Sequence, residues 1–416
     1  MKTTTLRKPT LRLHDAAAVA AADKNKPSAE WIAQLRKRFP VEKEIDRVLT
    51  RKLEHRATSR FTPVPLDKLV EGVRSLISAQ SGGTFTIDEP RWLSGGASKL
   101  QMRFVLDRER PGAGREKTPM VLRMEPAESI VETSRLREFQ LIRAMHGVVP
   151  VPPVFWCDSL GEHLPYPSLV YGFAKGVTKP STGSSGVTGL GMRLPKDVRE
   201  KLKPQFIEQL VRIHAFDHRT ADFSAFDMPG PGTDCALKEL NMWERIWEED
   251  HDEDVPLLRL AAAWLRRNLP ALDVPSVVHG DYRVGNFLFD EDDGCRITAW
   301  LDWENGLIGN RHRDLAYISC SAFRSPDENG NILLNGLMSE NEFFEVYEKA
   351  SGRKIDRKTL HWYKVFNAYY LAILIVATGY RIAWNGKTHQ DILVTWLIGI
   401  GGSLLNDLHQ LLEQGA

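Results

Sequence analysis

The stretch Val278-His279-Gly280-Asp281-Tyr282-Arg283-Val284-Gly285-Asn286-Phe287-Leu288-Phe289-Asp290 places an aspartate and an asparagine five residues apart in a turn-like segment between apolar runs. A lone turn aspartate is ordinarily a cap or a solvated loop residue. Here the segment is followed by Leu301-Asp302-Trp303-Glu304, at the end of a second strand-like run, and then by Asp314. A turn that only reversed the chain would require none of these.

The set matches what a phosphoryl-transfer site needs. A triphosphate is strongly anionic, and one or two magnesium ions must bridge its oxygens. Magnesium favours hard oxygen ligands and takes one or two protein groups, with water and phosphate completing its shell. A further carboxylate must sit beside the attacking hydroxyl, orient it and accept its proton late. Asp281 is the expected base. Asn286, one short loop later, and Asp302, at the end of the next strand, are the expected magnesium ligands.

Bulk properties narrow the class. A chain of 416 residues is too long for one ordinary core, so two or more packed units are expected. Hydrophobic residues at 42% and charged residues at 26% fit a soluble globular protein. The net charge of +1, from 55 basic against 54 acidic residues, argues against a dedicated nucleic-acid binder. The four cysteines (Cys157, Cys235, Cys295, Cys320) form no CxxC pair and fit buried thiols in a reducing cytosol. No signal peptide is evident, since the alanine-rich run at 16–22 is short and leads into Asp23-Lys24-Asn25-Lys26. The most apolar run, 368–378, is shorter than the ~20 residues that cross a bilayer and is expected as a buried helix. A cytoplasmic protein with neither nucleic-acid nor membrane partners is the expectation.

Periodicity organises the rest. Residues 1–60 read as an added preface with one short amphipathic helix, marked by Trp31, Ile32, Leu35 and Phe39. Apolar spacing predicts a helix over 66–80. Strands are expected at 100–106 and 120–124, joined by a polar loop at 107–117, with further short strands at 154–156 and 168–171. A helix over 131–146 carries Glu138. From about residue 196 the pattern is helical, except over 277–303. The glycine-rich stretch 181–191 is weak as a dinucleotide fingerprint, having no strand before it and no helix opening on it. It reads instead as a mobile loop near the site entrance. His214, on an otherwise apolar helix, reads as a satisfied core residue, and Trp243, Trp247 and Trp264 as core. The acidic run 248–254 reads as a solvated helix end.

The spacing H-x-D-x-x-x-x-N, followed by an Asp on a second strand, resembles the catalytic loop of protein kinases, with Gly280 where those usually carry Arg. The HGD form, with Asn286, Leu301-Asp302-Trp303-Glu304 and Arg313-Asp314-Leu315-Ala316, resembles the aminoglycoside phosphotransferase or choline-kinase-like superfamily. It is most similar to the phosphotransferase domains associated with acyl-CoA dehydrogenases. Ser94-Gly95-Gly96-Ala97-Ser98, Val121-Leu122-Arg123, Arg137-Glu138-Phe139 and Val151-Pro152-Pro153 follow the same order.

The resemblance implies an α+β, protein-kinase-like bilobal fold. Its parts would be a helical extension (1–60), an N-lobe of small antiparallel sheet with one helix (61–172) and a mainly helical C-lobe (173–416). It implies ATP and Mg2+ as nucleotide substrate and cofactor. Ser94, Gly95, Gly96 and Ser98 would form the nucleotide-covering turn, whose glycines admit phosphate close to the backbone. Arg123 would replace the strand lysine that grips phosphate, with Glu138 as its ion-pair partner. Tyr171 and Phe173 would belong to the hinge that meets adenine. His279, Arg283, Glu304 and Asp314 would support the site. The acceptor implied is a small hydroxylated molecule, a hydroxyacyl-CoA such as 4-hydroxyacyl-CoA, with a functional link to acyl-CoA dehydrogenase or other β-oxidation enzymes. An aminoglycoside kinase is the alternative, and a nucleotide-binding pseudokinase module the third reading.

Overall fold

The computed structural model describes residues 23–56, 60–93, 98–110, 114–181 and 190–415. In the smaller lobe, strands β1 (Phe85–Trp92), β2 (Leu100–Arg110), β3 (Gly114–Met124), β4 (Val154–Asp158) and β5 (Ser168–Gly172) make one antiparallel sheet in the order β1-β2-β3-β5-β4. Successive strand side chains point to opposite faces, and this decides what reaches the cleft. Met120, Leu122 and Met124 of β3 share a buried cluster with Met102, Phe104 and Leu106 of β2. Leu69, Val73, Leu76 and Ile77, from the helix Leu66–Gln80, close that cluster on the outer face. Arg123, one residue out of phase, lines the interlobe cavity instead.

Several boundaries differ from the sequence expectation. The pattern conceals β1, where Pro90 and the charged Asp88, Glu89 and Arg91 break the alternation. The strand is an edge with a register shift between Asp88 and Arg91, and Glu89 there takes φ 51°. The loop expected at 107–117 is shorter, because β2 runs to Arg110 and β3 resumes at Gly114 with polar residues suited to an exposed hairpin end. Two helices serve this lobe, not one. The helix carrying Glu138 spans Arg135–Met145, with Ser134 as N-cap accepting the Arg137 N–H at 3.3 Å.

Numbered in chain order, the helices so far are α1 (Ala29–Arg38), α2 (Lys43–Glu54), α3 (Leu66–Gln80) and α4 (Arg135–Met145). The described part of the N-terminal extension thus holds two helices where the sequence marks one. The larger lobe adds α5 (Lys196–Ala215), α6 (Asp234–Asp250), α7 (Pro256–Arg267), α8 (His312–Ile318), α9 (Glu340–Ser351) and α10 (Arg357–Ile373). Its core includes Trp243, Trp247, Trp300, Trp303, Trp362 and Phe366. Short strands are set among the helices: β6 (Ser276–Val278) pairs with β9 (Leu307–Gly309), and β7 (Phe287–Asp290) with β8 (Arg296–Trp300).

The apolar run 368–378 ends α10 and continues into a π-helical turn, Leu374–Gly379, before α11 (Tyr380–Trp384). The chain ends in α12 (Asp391–Ile398) and α13 (Gly401–Gln414). The continuous runs Arg357–Trp384 and Ile392–Gln414 are both long and apolar enough to cross a bilayer by length and composition alone. The most apolar window of the first is 78% buried inside the fold, as befits a core helix, and that of the second 22%.

The acidic run is not a solvated helix end throughout. Glu249 and Asp250 are buried. Glu249 pairs with Arg245 at 2.8 Å and Lys52 at 2.7 Å, while Asp250 pairs with Arg56 and accepts the Thr378 hydroxyl at 2.6 Å. Burial opposes the charge on Asp250, yet Lys52, Arg56 and Arg381 hold its carboxyl well below the usual range. Only 252–254 are exposed. These carboxylates tie the N-terminal extension to the larger lobe and do not line the interlobe cavity.

Candidate active site

The loop from β6 to β7 is shaped by one buried carboxylate. Asp314, at the start of α8, accepts the backbone N–H groups of His279 at 2.9 Å and Gly280 at 2.8 Å. Its third partner is His214 Nε2 at 3.1 Å, and the other ring nitrogen of His214 meets the Tyr347 hydroxyl at 2.8 Å. Burial pushes the Asp314 carboxyl up, but the hydrogen bonds and charges around it leave it below its ordinary value. His279 is fully buried. Its Nε2 donates to the Leu301 carbonyl at 3.0 Å, and its Nδ1 accepts the Asp281 N–H at 3.3 Å. Both nitrogens are committed and burial depresses its pKa, so the imidazole is neutral and unavailable as a base.

Gly280 explains the departure from the protein-kinase loop. Its φ is +81°, and a Cβ there would lie 2.2 Å from the Asn305 carbonyl oxygen. No L side chain fits without moving that segment. The five-residue interval has an equally local cause: Asn286 Nδ2 donates to the Asp281 carbonyl at 2.9 Å, pinning the loop and leaving the Asn286 carbonyl oxygen for another partner. Tyr282 anchors the middle, with its hydroxyl on the Phe206 carbonyl at 2.6 Å and its ring stacked on Trp300 at 3.9 Å. Arg283 Nε meets Asp281 Oδ1 at 2.9 Å.

Asp302 follows β8 in a left-handed conformation, φ 60° and ψ 47°, which a non-glycine residue rarely adopts. The strained backbone turns the residue to the cleft, where its Oδ1 meets Arg123 Nη2 at 2.5 Å. Arg123 is not the surface arginine of an edge strand. It is buried, and its Nε lies 3.2 Å from Glu138, the ion pair expected from the sequence. Burial opposes its charge, but Glu138, Asp302 and Glu304 hold its pKa well above the ordinary value.

Glu304 is the hub of this end. Lys99 lies 3.0 Å from it, Arg123 and Arg135 each 3.2 Å, and Ser98 donates its hydroxyl at 2.9 Å. Burial alone would raise its pKa, yet Lys99, Arg123 and Arg135 hold it well below the usual range. Lys99 also meets Glu125 at 3.1 Å and the Val131 carbonyl at 2.8 Å. Neither Lys99 nor Arg135 is marked by a motif, although a lysine directly after Ser94–Ser98 is a visible cue.

Asp281, Asn286, Asp302, Arg123, Glu138, Ser98, Tyr171, Arg283 and Glu304 all line one cavity of about 750 Å3 between the lobes. Phe173 does not. Its N–H is taken by the Pro119 carbonyl at 2.9 Å, and its ring lies under the Arg103 guanidinium at 4.6 Å. Tyr171 therefore stands alone of the two expected hinge residues. Ser94, Gly95, Gly96 and the stretch 182–189 lie outside the described residues, while Leu190, just beyond that stretch, lines the cavity. Part of the cavity lining is apolar, formed by Tyr370, Leu371, Leu374 and Ile375 of α10 and the π turn and by Leu393, Trp396, Leu397, Ile400 and Leu404 of the C-terminal segment. No motif marks these residues.

The donor set fits magnesium. Asn286 and Asp302, whose Oδ1 is paired with Arg123, carry two hard oxygen donors, the number magnesium takes when phosphate and water supply the rest. No group of three or more His, Cys, Asp or Glu side chains placed to hold a metal ion occurs among the described residues.

Known proteins resemble this chain in sequence or fold. Acyl-CoA dehydrogenase family member 10 of Mus musculus is 24% identical over 239 residues, covering 55% of this chain and 21% of that protein. Acyl-CoA dehydrogenase family member 11 of Homo sapiens is 26% identical over 212 residues, covering 49% and 25%. The matched part spans only about a fifth to a quarter of the length of these relatives. A crystal structure from Ralstonia eutropha, provisionally described as an aminoglycoside phosphotransferase, superposes with a TM-score of 0.59 at 19% identity, covering 84% of this chain and 98% of its own, which establishes a common fold. Residues 91–353 match the profile of the phosphotransferase enzyme family, and they include every element that lines the charged end of the cavity. The chain belongs to the phosphotransferase enzyme family.

Proposed function

We propose that this phosphotransferase moves the γ-phosphoryl group of ATP to the hydroxyl of a hydroxyacyl thioester such as a 4-hydroxyacyl-CoA. Asp281 is the base in this reading. The acceptor oxygen bonds to the γ-phosphorus, the bond from that phosphorus to the bridging oxygen breaks, ADP leaves, and the hydroxyl proton passes to the Asp281 carboxylate. Arg283, 2.9 Å from Asp281, orients that carboxylate. Arg123, held at Nε by Glu138 and at Nη2 by Asp302 and Glu304, would turn its remaining donors to phosphate. Asn286 and Asp302 would hold magnesium, which when bound draws charge off the triphosphate.

The observation that carries the acceptor class is the cavity's unequal lining. Its lining carboxylates, Glu138, Asp281, Asp302 and Glu304, are each paired with Arg123, Arg135, Arg283 or Lys99, and much of the remaining lining is hydrocarbon. A polycationic aminoglycoside needs carboxylates around its ammonium groups, and the acidic run that could have supplied them is spent on Lys52, Arg56 and Arg245. An acyl chain needs only apolar wall, at about 0.8 kcal/mol per buried methylene. Phosphorylation would turn the hydroxyl into a leaving group for later β-oxidation steps. Relatives named acyl-CoA dehydrogenase family members agree with that setting.

Magnesium-dependent ADP release, measured across hydroxyacyl-CoAs of graded length, aminoglycosides and choline, tests the reading. Turnover of hydroxyacyl-CoAs is expected. Turnover of an aminoglycoside with no hydroxyacyl-CoA active would reverse it.

A further inference from the structure

We infer that residues 40–56 are a built-in brace for the helix that carries Glu138, with Glu42 as its positioning residue. The inference rests on the reading that Arg123 and Glu138 grip the nucleotide. A single carboxylate makes the connection. Glu42 accepts from Arg137 Nη1 at 3.0 Å and Nη2 at 3.3 Å, on α4 of the smaller lobe. The same carboxylate accepts the Asp227 backbone N–H at 3.1 Å, in the larger lobe. Two positions on, Glu44 accepts the hydroxyl of Ser134, the N-cap of α4.

The brace is rooted firmly. Leu49 is fully buried in the larger lobe's core. Asn241 donates to the Pro40 carbonyl at 2.9 Å, Asp46 pairs with Arg245 at 2.7 Å, and Lys52 with Glu249 at 2.7 Å. The far end of the link is equally fixed, because the Arg137 guanidinium lies 4.1 Å over the Phe226 ring.

Helix geometry turns this anchoring into control of the site. Consecutive helical residues project about 100° apart, so Arg137 faces the brace while Glu138 faces Arg123. Any roll or slide of α4 moves both side chains together. Holding Arg137 to Glu42, and the N-cap to Glu44, therefore fixes Glu138 at 3.2 Å from Arg123.

The test uses the full chain carrying Glu42→Gln, Arg137→Gln, both together, or Glu44→Gln as a milder second variant. Amide exchange across Arg135–Met145 should quicken about tenfold in Glu42→Gln while α6 and α10 keep their protection. The KM for ATP should rise about tenfold with the acceptor KM unchanged, and the double variant should lose no more than the worse single one. Unchanged exchange in α4 would overturn the inference. So would equal loss of protection in all three helices, or ATP and acceptor constants moving in step. If the wild-type chain binds no nucleotide, the proposed function fails, and exchange in α4 still reads the brace by itself.

Discussion

The charged and the apolar parts of the interlobe cavity are built on opposite principles. At the charged part, Lys99, Arg123, Glu138 and Glu304 line the cavity and pair with one another and with the buried Arg135 and Glu125 behind them. Desolvated charges of this kind survive only with partners in place, so each member constrains the identity of the next. The apolar part, from Tyr370 to Ile375 and from Leu393 to Leu404, asks only for apolar volume. In the proposed reading the first dictates chemistry and the second dictates the size and polarity of the acceptor.

The largest effect should come from the charged end. Asp281→Ala is expected to lower kcat by at least ~10²–10⁴ while calorimetric titration finds ATP affinity nearly intact, since the base acts in the transition state and not on the nucleotide. Asp302→Ala should differ in kind. It should abolish productive magnesium–nucleotide binding, seen as loss of ATP affinity in the same titration. Equal losses in both variants would collapse the distinction between base and metal ligand.

At the apolar end a smaller, graded change is expected. Trp396 lines the cavity and is 45% exposed, so its truncation need not harm the fold. Trp396→Ala should shift the optimum toward longer acyl chains, by about fourfold in kcat/KM for each extra methylene accommodated. A uniform loss across all chain lengths would show that this wall does not meet the substrate.

The contrast between the ends also explains what the sequence discloses. Asp281, Asn286 and Asp302, the proposed base and metal ligands, stand out because metal and proton chemistry admit few residue types, and the structure gives the reason for Gly280: its backbone leaves no room for a side chain. Arg123 and Glu138 are legible only through the family resemblance. Lys99 and Arg135 are hidden because a buried cation looks like a surface one until its partners are known. The apolar end is illegible for a deeper reason: any leucine in a helical run could be core, and only the tertiary fold brings 370–375 opposite 393–404. The same holds for the acidic run at 248–250, where tertiary pairing with Lys52 and Arg56 overrides the solvated reading that composition favours.

A prediction on stability, not turnover, separates charge needed for folding from charge needed for function. Glu132 is buried beside Glu125, and burial with that like charge raises its pKa to about 7. In the unfolded chain it titrates near 4.3, so between those values the folded state holds more protons and stability falls as pH rises. Glu132→Gln should therefore stabilise the protein by about 1–3 kcal/mol at pH 8 and by little at pH 4.5, read by thermal melts at both values. A gain independent of pH would mean the side chain is not protonated in the fold.

Mass spectrometry of a 4-hydroxyacyl-CoA incubated with ATP, magnesium and either wild-type or Asp281→Ala protein tests the central claim most directly. The account predicts one added phosphoryl group on the acyl hydroxyl with the wild type, and none above background with the variant. An unmodified thioester beside a phosphorylated aminoglycoside, or equal product from both proteins, would contradict it.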